Sequence, residues 1–279
     1  EFKALIYLIS KISKNHHRTP LFFEKIQRII SHFKNSIKQF FTNSEIFNIF
    51  IHSKPILLFL ISSQIIIIDE TVIDLILKYK DKGQFKYCHF FYPEIQSAVE
   101  KMKDVYKEDI EEFDHFIFTN FEENRKIGEN HYLICKLIRE DSVEDFISYI
   151  TENKINVTTK ITKSIFETNS LLIKNKETTL IEYAAFFGSI QIFKFLYSNK
   201  AKFNATVKPS IWIYAIHGKN PEIIHLLEYN NIEPEDNNYD KCYIESIKCH
   251  HNDIADYISN SFFNRIENKF KNSYFHYYN

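Results

Sequence analysis

Four residues near the end of the chain have the chemistry of a metal site: Cys242, Cys249, His250 and His251. Zinc takes two thiolates and two imidazoles, but ligand pairs normally leave two to four residues between them. Cys249, His250 and His251 are consecutive, so the spacing is wrong and no metal is expected. His16-His17 and Cys88-His89 are sparser still. A Cys–His nucleophile pair could come from Cys135 and His131 on one helical face, but the apolar surroundings suit an inert thiol. Glu111-Glu112 and Glu140-Asp141 lie in charged helical text, where a solvated face is the ordinary explanation. There is no glycine-rich phosphate loop, no Gly-x-Ser-x-Gly elbow and no His-Glu-x-x-His. Catalysis and a cofactor are therefore not expected.

The elements that would carry such residues read as helices. The 279 residues are 44% hydrophobic, with only 4 Gly and 6 Pro, which disfavours a turn-rich β fold. A net charge of −1 gives no global pull on nucleic acid or an anionic membrane. Basic residues intermix with aromatics in Lys3 to Arg28 and Lys269 to Lys271, but nucleic-acid binding needs a coherent basic face, and none is expected here. Cys88, Cys135, Cys242 and Cys249 are too few for a disulfide framework, and a cytoplasmic or nuclear setting is the expectation.

Residues 1–125 show helical spacing without a repeat. Phe2, Leu5, Ile6, Ile9 and Ile12 form one stripe, and Ile26, Ile29, Ile30, Phe33 and Ile37 a second. Thr42-Asn43-Ser44-Glu45 punctuates the chain like a helix cap. Pro55 to Asp69 is the most apolar stretch. Its run of about 14 residues, broken by Ser62-Ser63-Gln64, is short of the 18 or so needed to span a membrane. It reads as a buried helix, a turn and an apolar lead into the helix at Thr71 to Tyr79. Phe85 to Pro93 reads as an aromatic turn, and Glu94 to Glu112 as a solvated helix. The charged stretch Glu122 to Glu129, with Gly128, is the expected domain boundary.

From Glu177 to Ser259 one unit recurs. Ile192, Ile223 and Ile254 stand 31 apart, as do Ala184, Ala215 and Ser246, and Leu196, Leu227 and Ile258. A fixed period in this range marks stacked repeats. Each copy holds two short apolar runs around a break. Thr179 can cap the first run, Ala184-Ala185 allow close helix approach, and Gly188 can end the helix in left-handed geometry. In the later copies Lys219 and His250 stand where Gly is expected, with Gly218 one place early. Leu137-Ile138 and Ser142 to Phe146 form a degenerate leading copy, offset by 47 (189 − 142), which implies an insertion holding an extra helix or irregular loop.

The first copy, Thr179 to Gly188 followed by Ile192 to Leu196 and Ala201 to Asn204, resembles the ankyrin repeat. Tyr183 to Phe193, Tyr214 to Leu227 and Glu245 to Ala255 resemble more closely the ankyrin-associated domains of unknown function expanded in certain parasitic protists. That family has no established activity, so the resemblance implies a fold more than a function. The expected architecture is all-α. An N-terminal helical domain (1–125) precedes ankyrin-like repeats (126–260), and a tail or capping helix follows (261–279). The repeats divide into a degenerate copy at 131–156, an insertion at 157–172, and copies at 177–207, 208–238 and 239–260. The resemblance implies protein–protein recognition on a concave surface made by hairpin tips and first-helix ends. Those positions are Lys176, Glu177, Val207, Lys208, Asn238 and Tyr239, with Phe186, His217 and Lys248. A self-assembly module, or an enzyme with a pocket between the two parts, is the alternative.

Overall fold

Helical spacing governs the chain from its first residues. In the computed structural model Phe2–Asn15 form a helix whose Ile6 and Ile9 are buried. The structure describes residues 1–15, 20–79, 87–101, 120–175, 177–199, 201, 211–234 and 239–262. Among these there are eighteen helices and no strand. The only β pairing among the described residues is an isolated bridge between Lys160 and Thr179. We number the helices α1 to α18 in chain order. No helix among the described residues is long and apolar enough to cross a membrane.

The chain divides into two compact units, Glu1–His131 with Lys163–Lys176, and Tyr132–Thr162 with Glu177–Asn279. The first contains α1 (Phe2–Asn15), α2 (Pro20–His32), α3 (Lys34–Phe40), α4 (Asn43–Phe50), α5 (Lys54–Ser62) and α6 (Glu70–Lys78). It continues with α7 (Tyr87–Phe90), α8 (Tyr92–Lys101), α9 (Phe121–Ile127) and α12 (Ser170–Lys174). The second apolar stripe spans two helices, because the chain breaks at Phe33. Ile26, Ile30 and Ile37 are buried, whereas Ile29 is 44% exposed and lies off the inward face. Thr42 caps α4 in a reciprocal box. Its Oγ1 accepts from Glu45 N at 3.2 Å, and its N–H donates to Glu45 Oε2 at 2.8 Å.

The apolar stretch folds as a buried helix, α5, a turn at Gln64 (φ 55°), and a lead in which Ile65 and Ile66 both donate to Leu60 O. Asp69 Oδ1 then caps α6 by accepting from Val72 N at 3.0 Å. Tyr87 to Phe90, expected as a turn, is a short helix instead. Tyr87, Cys88, His89, Phe90 and Phe91 are all buried, and the helical turn fans these consecutive side chains into core on several sides while pairing Phe91 N with Tyr87 O. Of the helix expected over 94–112, Tyr92–Lys101 is described and the rest lies outside the described residues.

The units meet in sequence at His131, and the inserted segment is shared between them. Residues 163–176 return to the first unit through specific polar contacts. Thr168 N and Oγ1 both donate to Gly128 O, and His131 Nδ1 pairs with Ser164 Oγ at 2.8 Å. Buried Lys54 donates to Ile165 O at 3.3 Å with its ammonium over the Tyr87 and Phe90 rings. Buried Arg125 is compensated by Glu94 at 2.7 Å and by Glu122 at 2.9 Å.

The second unit is a set of helical hairpins: α10 (Leu133–Arg139) with α11 (Val143–Glu152), α13 (Leu180–Phe187) with α14 (Ile190–Ser198), α15 (Ile211–Gly218) with α16 (Pro221–Tyr229), and α17 (Tyr239–Lys248) with α18 (Asn252–Phe262). First helices pack in the order α10, α13, α15, α17, and α11, α14 and α16 pack as a second row. Thr179 caps α13 in a box with Glu182, whose Oε2 accepts from Thr179 N at 2.8 Å.

Every hairpin turns through a left-handed residue at the same register position: Asp141 (φ 51°), Gly188 (71°), Lys219 (53°) and His250 (54°). The following residue reaches back to the preceding hairpin. Ser189 Oγ donates to Ile138 O at 2.5 Å, Asn220 Nδ2 to Gly188 O at 2.9 Å, and His251 Nδ1–H to Ile216 O at 2.8 Å. The second helices end alike. Asn153, Asn199 and Asn230 each turn a side-chain amide back onto the carbonyl four residues earlier, at 2.8, 2.8 and 2.7 Å.

Gly188 and Gly218 do different work. A Cβ on Gly218 would sit 2.1 Å from Ala185 O and 2.8 Å from Gly188 N, so the two first helices touch backbone to backbone. Gly218→Ala should destabilise the protein by about 1–3 kcal/mol through overpacking. Lys219→Gly, which relieves a left-handed lysine, should be neutral or stabilising by up to about 1 kcal/mol. Denaturant titration of both variants checks the pair. Equal effects would mean that the close contact lies elsewhere.

Burial pushes the His251 imidazole down to about 4, with Lys219 and His217 adding to the shift and the Ile216 carbonyl and Asp253 opposing it. The unfolded imidazole titrates near roughly 6.5. Between these values the unfolded chain binds the extra proton, so stability is full above about 6.5 and declines as pH falls toward 4. His131 and His250, also lowered by burial, add the same sign. His251→Asn copies Asn220 and removes the titration. In metal-free buffer its unfolding free energy should depend less on pH across this window than that of the unsubstituted chain.

Candidate functional site

The first helices present two register positions, one turn apart, on a common face. Lys136, Tyr183, Tyr214 and Glu245 occupy one, and Arg139, Phe186, His217 and Lys248 the other. Stacking brings neighbours along each row within reach. Arg139 Nη1 donates to Tyr183 Oη at 3.1 Å and lies over the Phe187 ring at 5.9 Å. Tyr183 packs on Phe187 at 4.7 Å between centroids. Phe186 stacks on His217 at 5.0 Å and 24°.

Beyond this aromatic stack the face becomes polar. His217 Nε2 donates to Glu245 Oε1 at 2.9 Å, and Lys248 Nζ donates to Glu245 Oε2 at 3.2 Å. Burial alone would raise the Glu245 carboxyl, but the His217 hydrogen bond and charge, with Lys248, outweigh it and hold the group down to about 2. Cys249 Sγ lies 3.6 Å from His217 Nε2 and 3.7 Å from Nδ1. Near-equal distances put the sulfur over the ring rather than on a lone-pair line. The geometry is not that of a thiol handing its proton to a base oriented by a carboxylate, because Glu245 takes Nε2.

The nine expected surface residues separate sharply. Lys176, Val207, Lys208 and Asn238 lie outside the described residues. Glu177 accepts from Lys160 Nζ at 2.9 Å on an exposed edge. Tyr239 stacks on Phe262 at 4.0 Å, and burial, with Glu233 and other nearby groups, pushes its hydroxyl up to about 12. Phe186 is 0% exposed, so it offers no docking surface: its ring is enclosed by Phe187, Tyr214 and His217. His217 is also largely covered, with 8% of its side chain exposed. The fold thus unites His217 and Lys248 around Glu245, and gives Glu177 and Tyr239 other partners.

Sequence reasoning passed over Glu245 and weighed Cys249 with the wrong neighbours. Burial pushes the Cys242 thiol up to about 12, which leaves it inert, and His250 and His251 serve the turn. Two signals together find the true cluster. Glu245 and Cys249 are four apart on one helical face, and the 31-residue register sets His217 beside Lys248.

In the first unit a groove is lined by Ile37, Phe41, Ile46, Ile65 and Ile67, with Asn43 and Asp69 at its polar end. Those two bond to each other at 2.7 Å, and both also hold backbone N–H groups, so they knit α4 to the start of α6.

Compared with models of protein families, with curated proteins and with solved structures, the chain finds no match.

Proposed function

We propose that the chain is a non-catalytic protein-recognition scaffold, with ankyrin-like repeats following an N-terminal helical unit and a protein as its partner. One observation carries the reading. The left-handed turn recurs at Asp141, Gly188, Lys219 and His250, which are the positions that the repeat register assigns to the ankyrin-type glycine. Hairpins in equal register make a quasi-linear surface suited to extended contacts with another protein. The like chemistry of the turn staples Ser189, Asn220 and His251 supports the same arrangement. Cys88, Cys135, Cys242 and Cys249 form no disulfide among the described residues, which suits a cytoplasmic or nuclear setting.

Partner contacts fall in this proposal on Lys176, Glu177, Val207, Lys208 and Asn238, without the enclosed Phe186 or Lys248, which is held by Glu245. A partner captured by the full chain, then measured by a binding titration, should lose at least about tenfold in affinity when these five are replaced by alanine, and the thermal midpoint should stay put. Unchanged affinity in a folded variant would remove the surface from this face. Light scattering separates the self-assembly alternative, in which the same substitutions would dissociate a defined oligomer.

A further inference from the structure

We infer that His217, Glu245 and Cys249 form a binding site for a thiophilic divalent cation, zinc above all. The inference is independent of partner recognition. Among the described residues these three bring one imidazole nitrogen, one carboxylate oxygen and one sulfur within 4.8 Å of one another. Tetrahedral zinc, with bonds of about 2.0–2.3 Å, separates its ligand atoms by roughly 3.3–3.6 Å. The nitrogen-to-oxygen distance of 2.9 Å needs only a few tenths of an ångström of opening, and the sulfur, now over the ring at 3.6 Å from Nε2, must move toward the ring edge to take its place. The proton now shared by His217 and Glu245 marks the line along which a cation would replace it.

The surroundings are built to hold the donors. Glu245 and Cys249 are joined through one helical turn, Cys249 N donating to Glu245 O at 3.0 Å, and His217 enters from the neighbouring first helix. Phe186 stacks on the imidazole and fixes its plane. Lys248 binds the far carboxylate oxygen, Oε2, and leaves Oε1 turned toward His217. Groups that orient ligands in this way are the usual support of a metal site. Cys249 sits just past the end of α17 and is half-buried, so a turn about its χ1 can carry the sulfur from above the ring to the metal.

The donor set chooses the ion. Thiolate with imidazole selects zinc and its soft neighbours over magnesium and calcium, which take oxygen ligands. Binding converts the Cys249 thiol to a metal thiolate and releases that proton to solvent, while the proton on His217 Nε2 leaves that nitrogen, moving to Nδ1 of the neutral ring or to solvent from the charged one; no electron moves. Three protein ligands leave a fourth position for water or for a donor from a bound molecule.

The test uses the full chain, stripped with a chelator and then titrated with zinc against a chromophoric competitor. A parallel titration with cobalt(II) follows the near-ultraviolet thiolate-to-metal absorption. One ion per chain and the appearance of that absorption are expected. Cys249→Ser should abolish the absorption, and Cys249→Ser, His217→Asn and Glu245→Gln should each weaken zinc binding by more than about 100-fold, the upper range for losing a mere supporting group. Cys242→Ser and His251→Asn should leave both readings unchanged. Because His217 also packs on Phe186, Cys249→Ser is the decisive variant and circular dichroism checks the folding of all. No uptake at micromolar zinc, or uptake that survives Cys249→Ser with its absorption intact, overturns the inference.

Discussion

The second unit depends on one close approach, the contact of Ala185 and Gly188 with Gly218. No side chain fits between these backbones, since even a methyl on Gly218 would meet the Ala185 carbonyl oxygen at 2.1 Å. Ala184 and Ala215, both fully buried, extend the narrow seam. Helices this close bring the flanking register positions into direct contact, which is why Phe186 can lie flat on His217. The seam relaxes at both ends of the row. Ser246 stands in α17 with its hydroxyl returned to Tyr243 O, and α10 carries the bulkier Leu137 and Ile138, so its packing runs through side chains. The tightest pair of first helices therefore sits at the centre, and it positions the polar cluster on its outer flank.

Close packing of helices strands the backbone groups at their ends, and those groups must find partners. Three unlike residues solve this at one register position. Serine, asparagine and histidine each return a donor to a carbonyl of the hairpin before. In the leading hairpin Asp141 does the complementary work: its carboxylate accepts from Gln191 N and Ile192 N at 3.0 and 2.9 Å, at the positive end of α14. The constraint is thus on geometry and hydrogen-bond sense, with residue identity free to vary within it. A pattern of identities weakens along such a chain faster than the pattern of contacts does.

That difference decides what could be read from the sequence. Local rules were enough for the Thr42 and Thr179 caps, for the end of α5 and for the left-handed Gly188, because each involves atoms within a few residues. The doubled role at Gly218 and Lys219 was not legible. One residue supplies the backbone contact and the other the turn, whereas Gly188 serves both. Nor was the return of 163–176 to the first unit, since it rests on pairings 40, 33 and 111 residues apart, Thr168 with Gly128, Ser164 with His131 and Ile165 with Lys54. Of the site, register alone put His217 beside Lys248. It also set Phe186 on an open face, because it counts positions and carries no information on the size of the neighbours that enclose them. Asn199 and Asn230, 31 apart, were a readable sign of the repeat, whereas Asn153, 46 before Asn199, falls outside a strict period of 31.

The first-helix face satisfies much of its own chemistry. Arg139 is spent on Tyr183 and Phe187, His217 on Phe186 and Glu245, and Lys248 on the other oxygen of the same carboxylate. A molecule that competes for these groups must replace interactions already made inside a poorly hydrated cluster, where leaving a charge unpartnered is heavily unfavourable. A neutral peptide side chain does this badly. A cation that takes the place of one shared proton does it well, because Glu245 and a Cys249 thiolate together neutralise its two charges and Lys248 keeps its contact with the free oxygen. Under the proposed recognition role, protein contacts would fall outside this polar cluster, which suits a small ion.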